Sequence, residues 1–116
     1  MKLIRYLESI DLLKSVKEKQ PNGVNTKTYK KIESYNVVKK TLDDEVNATL
    51  YGANINKMYA ISTPLGDLEE YLIPKVDNVE DNISLYYIKI GGSKYKIVSV
   101  VSNQIKIERL WKIYHN

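Results

Sequence analysis

The chain has no cysteine and no phenylalanine, only two arginines (Arg5 and Arg109), and a single histidine, His115, at the penultimate position. Without cysteine there is no disulfide framework, no thiolate nucleophile and no cysteine-ligated zinc. A lone histidine so close to a chain end reads as a tail residue rather than a ligand or base, and most metal and acid–base chemistry goes with it. No stretch approaches the roughly 20 consecutive apolar residues of a membrane span. Met1–Leu13 carries Lys2 and Arg5 but is broken by Glu8 and Asp11, so it lacks the apolar core of a signal peptide. The expectation is a protein that stays in the cytoplasm where it is made. The net charge of +4 comes almost wholly from lysine. Readers of nucleic-acid sequence favour arginine, whose planar fork matches phosphates and guanine edges, whereas scattered lysine usually marks a solvated face.

What is present fits one small domain covering 1–116, because a chain of 116 residues can build one core and not two. Ten tyrosines and one tryptophan, Trp111, supply all the aromatics. Tyrosine joins a large apolar ring to a polar tip and suits partly buried positions and interfaces. A half-exposed sheet that uses tyrosine as its β-former accounts for it equally well.

Met1–Ser9 reads as a short helix or an arm, with Leu3, Ile4 and Leu7 on one helical face. Ile10–Lys19 reads as a strand whose alternation is blurred at Leu12–Leu13. Gln20-Pro21-Asn22-Gly23 is turn chemistry, since Pro presets φ and Asn-Gly tolerates positive φ. In the strand that follows, Thr26, Thr28, Lys30, Ile32 and Ser34 share one face. Lys27, Tyr29, Lys31, Glu33, Tyr35 and Val37 share the other. Lys39–Asn54 is ambiguous: Val46, Leu50 and Ala53 suit a helix, while Val46, Ala48 and Leu50 suit a strand. Ile55–Ser62 reads as a strand. Pro64-Leu65-Gly66-Asp67 is a turn, with Asp67 placed to cap a helix running to Ile73. Leu65, Leu68, Leu72 and Ile73 lie at helical spacing, Glu69 and Glu70 sit at the favoured end of the dipole, and Pro74 stops the helix. Asp77–Asn82 is a polar loop. Ser84–Ile90, Tyr95–Val101 and Ile105–Leu110 form a β-meander through Gly91-Gly92 and Ser102-Asn103. Tyr86, Ile88 and Ile90 face one way in it; in its second strand either Tyr95, Ile97 and Ser99 or Lys96, Val98 and Val100 face the core. The fold expected is mainly β: a small, partly open β-barrel of about five strands, with one short helix and an extended loop.

No constellation carries catalysis. Gly91-Gly92 lacks the spacing and the helix of a phosphate loop. Asp43-Asp44-Glu45 lacks the alternation and glycine of a calcium loop and reads as solvated. The protein is expected not to be an enzyme and to need no cofactor or metal. The competing binding reading is a single-strand nucleic-acid barrel. There Thr28-Tyr29-Lys30-Lys31, Tyr86-Tyr87-Ile88-Lys89 and Ser93-Lys94-Tyr95-Lys96 would supply stacking rings and phosphate contacts.

The order of features from Lys17 to Leu110 resembles the head–tail joining family, the head-closure or stopper proteins of long-tailed siphophages. Lys17-Glu18-Lys19-Gln20 matches the basic, Glu-containing end of the family's first strand. Pro21-Asn22-Gly23 and Thr26–Tyr35 match its turn and second strand, and Tyr59-Ala60-Ile61-Ser62-Thr63 its Ile-Ser-Thr strand. Tyr51-Gly52-Ala53-Asn54, Leu68-Glu69-Glu70-Tyr71-Leu72-Ile73-Pro74-Lys75 and Asp81-Asn82-Ile83-Ser84 are similar to the subgroup from low-GC Gram-positive phages. Tyr95-Lys96-Ile97-Val98-Ser99-Val100 and Ile105-Lys106-Ile107-Glu108-Arg109 match the closing hairpin. Trp111–Asn116 has no counterpart.

The resemblance implies a virion neck protein: a homo-oligomeric ring, six- or twelve-fold, beneath the portal and adaptor. Such a ring closes the DNA-filled head and offers a surface to a tail-completion or tail-terminator protein. It would assemble in the host cytoplasm and end in the neck, without a membrane. A related reading is a tail-completion or terminator ring itself. The channel loop implied by position is Leu42–Lys57, with Asn54, Asn56 and Lys57 facing packaged double-stranded DNA and Asp43, Asp44 and Glu45 repelling it. A ring subunit also needs adhesive flanks. The candidates are the N-terminal arm 1–9 (Leu3, Ile4, Leu7) and the C-terminal tail 111–116 (Trp111, Ile113, Tyr114); packing on their own barrel is the alternative for both.

Overall fold

A computed structural model describes residues 7–42 and 58–110. Among them are six strands: β1 (Glu8–Lys19), β2 (Asn25–Thr41), β3 (Met58–Ser62), β4 (Tyr86–Ile90), β5 (Ser93–Val101) and β6 (Gln104–Arg109). One α-helix, α1 (Asp67–Leu72), lies between β3 and β4. All pairs are antiparallel, in the order β1-β2-β3-β6-β5-β4, and β4 pairs back onto β1 to close the barrel. The expected class, a mainly β small barrel with one short helix, is what the chain forms. The sheet closes completely where a partly open barrel was expected, because β1 takes β2 on one side along its length and β4 on the other through Asp11–Lys14. The extended loop expected at Leu42–Lys57 lies outside the described residues except for Leu42, which is buried with Met58 and Ala60 in a small satellite cluster.

Two irregularities in register settle the ambiguous faces. Leu12 pairs with Glu33 and Leu13 with Lys31, so Ile32 is an extra residue in β2. Before this bulge Lys27, Tyr29 and Lys31 share the outward face with Leu13; after it Glu33, Tyr35 and Val37 follow Leu12 inward. The regular alternation expected along β2 therefore breaks at Ile32. The blurred Leu12–Leu13 dipeptide is explained too: Leu12 belongs to the core, while Leu13 is buried on the opposite face, outside it. In β5, Ile97 pairs with Ile107 and Ser99 with Lys106, leaving the exposed Val98 unpaired. Tyr95 and Ile97 point inward before the bulge and Val100 after it, so each of the two expected faces holds for half of the strand.

Local chemistry fixes the turns. At the β1–β2 hairpin the Gly23 N–H donates to the Gln20 carbonyl at 2.9 Å, and the Asn22 side chain accepts from the Val24 N–H at 3.0 Å. Gly23 has φ of 86°, which its lack of a Cβ permits. The N-terminal helix or arm reading fails at its end: Glu8 and Ser9 already pair with Val37 and Asn36 in β1, where Glu8 also meets Lys39 at 3.3 Å. Ser84 falls in a 3-10 turn, Ile83–Leu85, that precedes β4 rather than in the strand, because the Asn82 side chain accepts from the Ser84 N–H.

Helix α1 differs in detail from its sequence signals. Gly66, at φ 72°, occupies the N-cap and Asp67 makes no side-chain cap bond. Leu68 and Leu72 join the barrel core, whereas Leu65 is 91% exposed and Ile73 lies at the surface in a 3-10 turn, Ile73–Lys75, that extends past Pro74. Glu69, read as helix-end charge, is 1% exposed. Its carboxylate accepts the Thr63 hydroxyl at 2.6 Å and the Thr63 N–H at 3.3 Å, tying the helix to the residue that follows β3. A buried carboxylate that loses a donor keeps its desolvation penalty. Thr63→Val should therefore lower stability by about 1–3 kcal/mol in urea titration, while Thr63→Ser, which keeps the hydroxyl, should fall within a few tenths of wild type.

Candidate functional site

Of the candidate channel-loop and interface residues read from sequence, the described structure contains Leu7 alone. Asp43, Asp44, Glu45, Asn54, Asn56 and Lys57 of the candidate channel loop, and Leu3, Ile4, Trp111, Ile113 and Tyr114 of the candidate interface, lie outside the described residues. Leu7 immediately precedes β1 and is 49% exposed, so it remains available for a contact. Two other clusters emerge, one at Asp81 and one on the outer face of the sheet.

The first cluster gathers five segments. Asp81 sits in the polar loop, where the Asn78 side chain accepts its N–H at 2.7 Å and the Asn78 carbonyl accepts from the Asn82 side chain at 2.8 Å. Its carboxylate receives Lys75 from the 3-10 turn at 2.6 Å, Lys14 from β1 at 2.9 Å, and the Tyr86 hydroxyl from the start of β4 at 2.6 Å. The Lys75 hydrogen bond, then those from Tyr86 and Lys14, hold the Asp81 carboxyl far below the usual carboxylate range. Burial first, and then its bond to Asp81, push the Tyr86 phenol far above its ordinary value, so it stays a neutral donor. Tyr71 of α1 meets the Tyr86 ring edge-on at 6.1 Å, and Lys75 lies 4.5 Å from the Tyr71 centroid. Three donors bind the carboxylate, and the neighbouring Tyr86 is 2% exposed. The arrangement fastens the helix and loop to the barrel. The sequence places Asp81 in a polar loop and in the Asp81-Asn82-Ile83-Ser84 segment of the resemblance, but nothing local marks a partner as distant as Lys14.

The second cluster lies on the outward face of β2, β1, β4 and β5. Tyr29 and Tyr87 meet edge to face at 5.2 Å. Register puts Tyr87 opposite the buried Leu13, and Tyr29 opposite Ser15. The rings thus border the leucine that β1 turns outward by its own alternation. Lys27 donates to the Tyr87 hydroxyl at 3.2 Å and stands 5.2 Å from that ring's centroid and 5.5 Å from that of Tyr29. This hydrogen bond above all raises the Lys27 pKa. Lys94 of β5 stands 3.4 Å from the Tyr29 centroid. The tyrosine-lysine segments singled out in the sequence thus supply Tyr29, Tyr87 and Lys94 to one patch, and Lys27 completes it. Tyr86 and Tyr95, from the same segments, point into the core instead.

A shallow groove of about 140 Å³ lies elsewhere, bordered by Val38, Lys40, Ala60, Ile61, Ser62, Asn103 and Gln104. Among the described residues no three His, Cys, Asp or Glu side chains are placed to hold a metal, and no helix is long and apolar enough to cross a membrane. No protein-family model, curated protein or solved structure matches the chain.

The Asp81 cluster has a pH signature. A carboxyl whose folded pKa is depressed stabilises above its unfolded value, near 3.9, and that contribution disappears as pH falls toward the folded value. Asp81→Asn should cost about 1–2 kcal/mol at neutral pH, discounted from a buried charged bond because the side chain is partly exposed. In pH-resolved urea titrations the gap from wild type should close below about pH 4. Tyr86 has the opposite sign. Its raised pKa gives stability that is complete below the unfolded value of about 10 and is lost as pH rises beyond it. Tyr86→Phe, though weaker at pH 7, should lose stability less steeply in alkali.

Proposed function

We propose that the chain is a structural ring subunit of a phage neck, a head-closure protein that seals the packaged head and receives the tail. The observation that carries this reading is a small closed β-barrel with a long overhanging hairpin, joined to the ordered set of segments that resembles the head-closure family. Closure removes free edges from the barrel itself, so the subunit needs other elements to bind its neighbours. The hairpin supplies them. Among the described residues, β2 pairs with β3 only through Val38–Thr41, so 25–37 has one unpaired side, and 15–19 of β1 has no partner but β2. A neighbouring strand can add to such an edge, and ring symmetry multiplies modest contacts. Lysines along β2 at Lys27, Lys30 and Lys31 discourage unguided pairing of the same edge. In this reading the partners are further copies of the chain, the portal-adaptor ring above and the tail-completion or terminator protein below. Packaged DNA passes through the channel.

The tyrosine-lysine patch also suits a second reading, a nucleic-acid-binding barrel that acts outside a virion. Electron microscopy of particles from a phage with an early stop codon in this gene separates the alternatives. Head closure predicts free tails beside heads that packaged DNA and then lost it. DNA-filled heads beside defective free tails would move the assignment to tail completion, and intact joined virions would refute a neck role.

A further inference from the structure

We propose that the outward face of β2, β1, β4 and β5, centred on Lys27, Tyr29, Tyr87 and Lys94, is a contact surface for the phosphate backbone of double-stranded DNA. The inference deepens the neck reading by naming the surface that meets the duplex. It rests on that reading for the source of the DNA and on the patch alone for the binding.

Charge complementarity is the first support. Register places Lys17, Lys27, Lys31, Lys89, Lys94 and Lys96 on this face, with Lys17 directly opposite Lys27 and Lys89 directly opposite Lys94. Like charges set opposite one another on neighbouring strands are destabilising. Among the described residues, two acids on the same face are engaged. Asp11 accepts from Ser34 at 2.8 Å and faces Lys31 at 3.8 Å, and Glu108 pairs with Lys96 at 3.2 Å. A polyanion brings the opposite charge to this lysine-rich face and releases its own counterions.

The rings decide which nucleic acid fits. A single-strand platform needs open aromatic faces on which bases stack. Here Lys94 stands against the face of Tyr29, Lys27 lies close to both rings, and the tyrosines meet each other edge to face. The rings therefore hold ammonium groups instead of offering themselves to bases. Lys27 and Lys94 are oriented by cation–π attraction, which lowers the side-chain entropy lost when a phosphate arrives. This is a phosphate-binding surface without base contacts, suited to DNA that must be held or slide regardless of sequence.

The test is fluorescence anisotropy of the purified full chain with a labelled duplex of mixed sequence, about 30 base pairs long, and with one of its strands alone, between about 50 and 200 mM salt. The expected result is duplex binding that weakens steeply with salt and is at least as tight as binding to the single strand. Lys27→Glu with Lys94→Glu should weaken duplex binding tenfold or more and flatten the log–log salt slope by about two. Tyr29→Phe and Tyr87→Phe, which keep the rings, should bind within threefold of wild type. Urea titration checks that each variant is folded. Absent duplex binding, unchanged binding by the folded double-lysine variant, or preferred single-strand binding lost in Tyr29→Ala would each overturn the proposal, the last in favour of stacking. Failure here with free tails and emptied heads in the stop-codon strain would leave the neck reading standing. Duplex binding with intact virions would do the reverse.

Discussion

Strand β1 must satisfy two neighbours while burying side chains on both of its faces. Leu12 points into the barrel and is fully buried; Leu13, the next residue, points outward and is 7% exposed. Across the same short stretch, Asp11–Lys14, the backbone pairs with β2 on one side and β4 on the other. Alternation along β1 sets the two leucines on opposite faces, and the β2 bulge at Ile32 decides which β2 residues lie opposite them, Glu33 at Leu12 and Lys31 at Leu13. Without the second pairing the sheet would be open, with two edges and a core exposed along the seam. The closed core, the overhanging hairpin and the outward tyrosine-lysine patch all depend on this geometry.

The charged groups divide into two kinds of work. At Asp81, opposite charges are brought together and saturated, with three donors on one carboxylate. On the outer sheet face lysines are gathered, and the rings of Tyr29 and Tyr87 hold two of them, Lys27 and Lys94. The first arrangement lowers the free energy of the folded chain by itself. The second leaves an electrostatic demand that a partner can meet, and that difference separates a structural cluster from a candidate surface of recognition.

Local chemistry was legible wherever residues close in sequence decide the outcome. Gln20-Pro21-Asn22-Gly23 marked its hairpin, and Gly91-Gly92 and Ser102-Asn103 marked the meander. The inward set Tyr86, Ile88 and Ile90 followed from alternation alone. What escaped depends on contacts distant in sequence. Bulges at Ile32 and Val98 have no composition of their own, and the shift they cause is visible only against the partner strand. Glu69 looked like any acid in a first helical turn, because its burial depends on where Thr63 arrives. Closure was missed because pairing of β1 with β4 joins segments with no shared local signal. At the patch, Tyr29, Tyr87 and Lys94 stood in segments already singled out for tyrosine beside lysine. Their meeting, and the ammoniums against the ring faces, needed the fold.

The seam between β1 and β4 also shapes how the chain acquires its structure. The β1–β2 hairpin closes around a short turn, so its pairing costs little loop entropy and can form early. Joining Lys14 to Tyr86 must bring together residues separated by most of the described chain, and that contact comes late and slowly. In the interval the future seam is an open edge running through Leu12 and Leu13. Asp11 and Lys14 on one side and Lys89 on the other place charges along it, and these act as gatekeepers against strand addition from a second unfinished chain. The residues that later fasten the barrel thus protect it before it is closed.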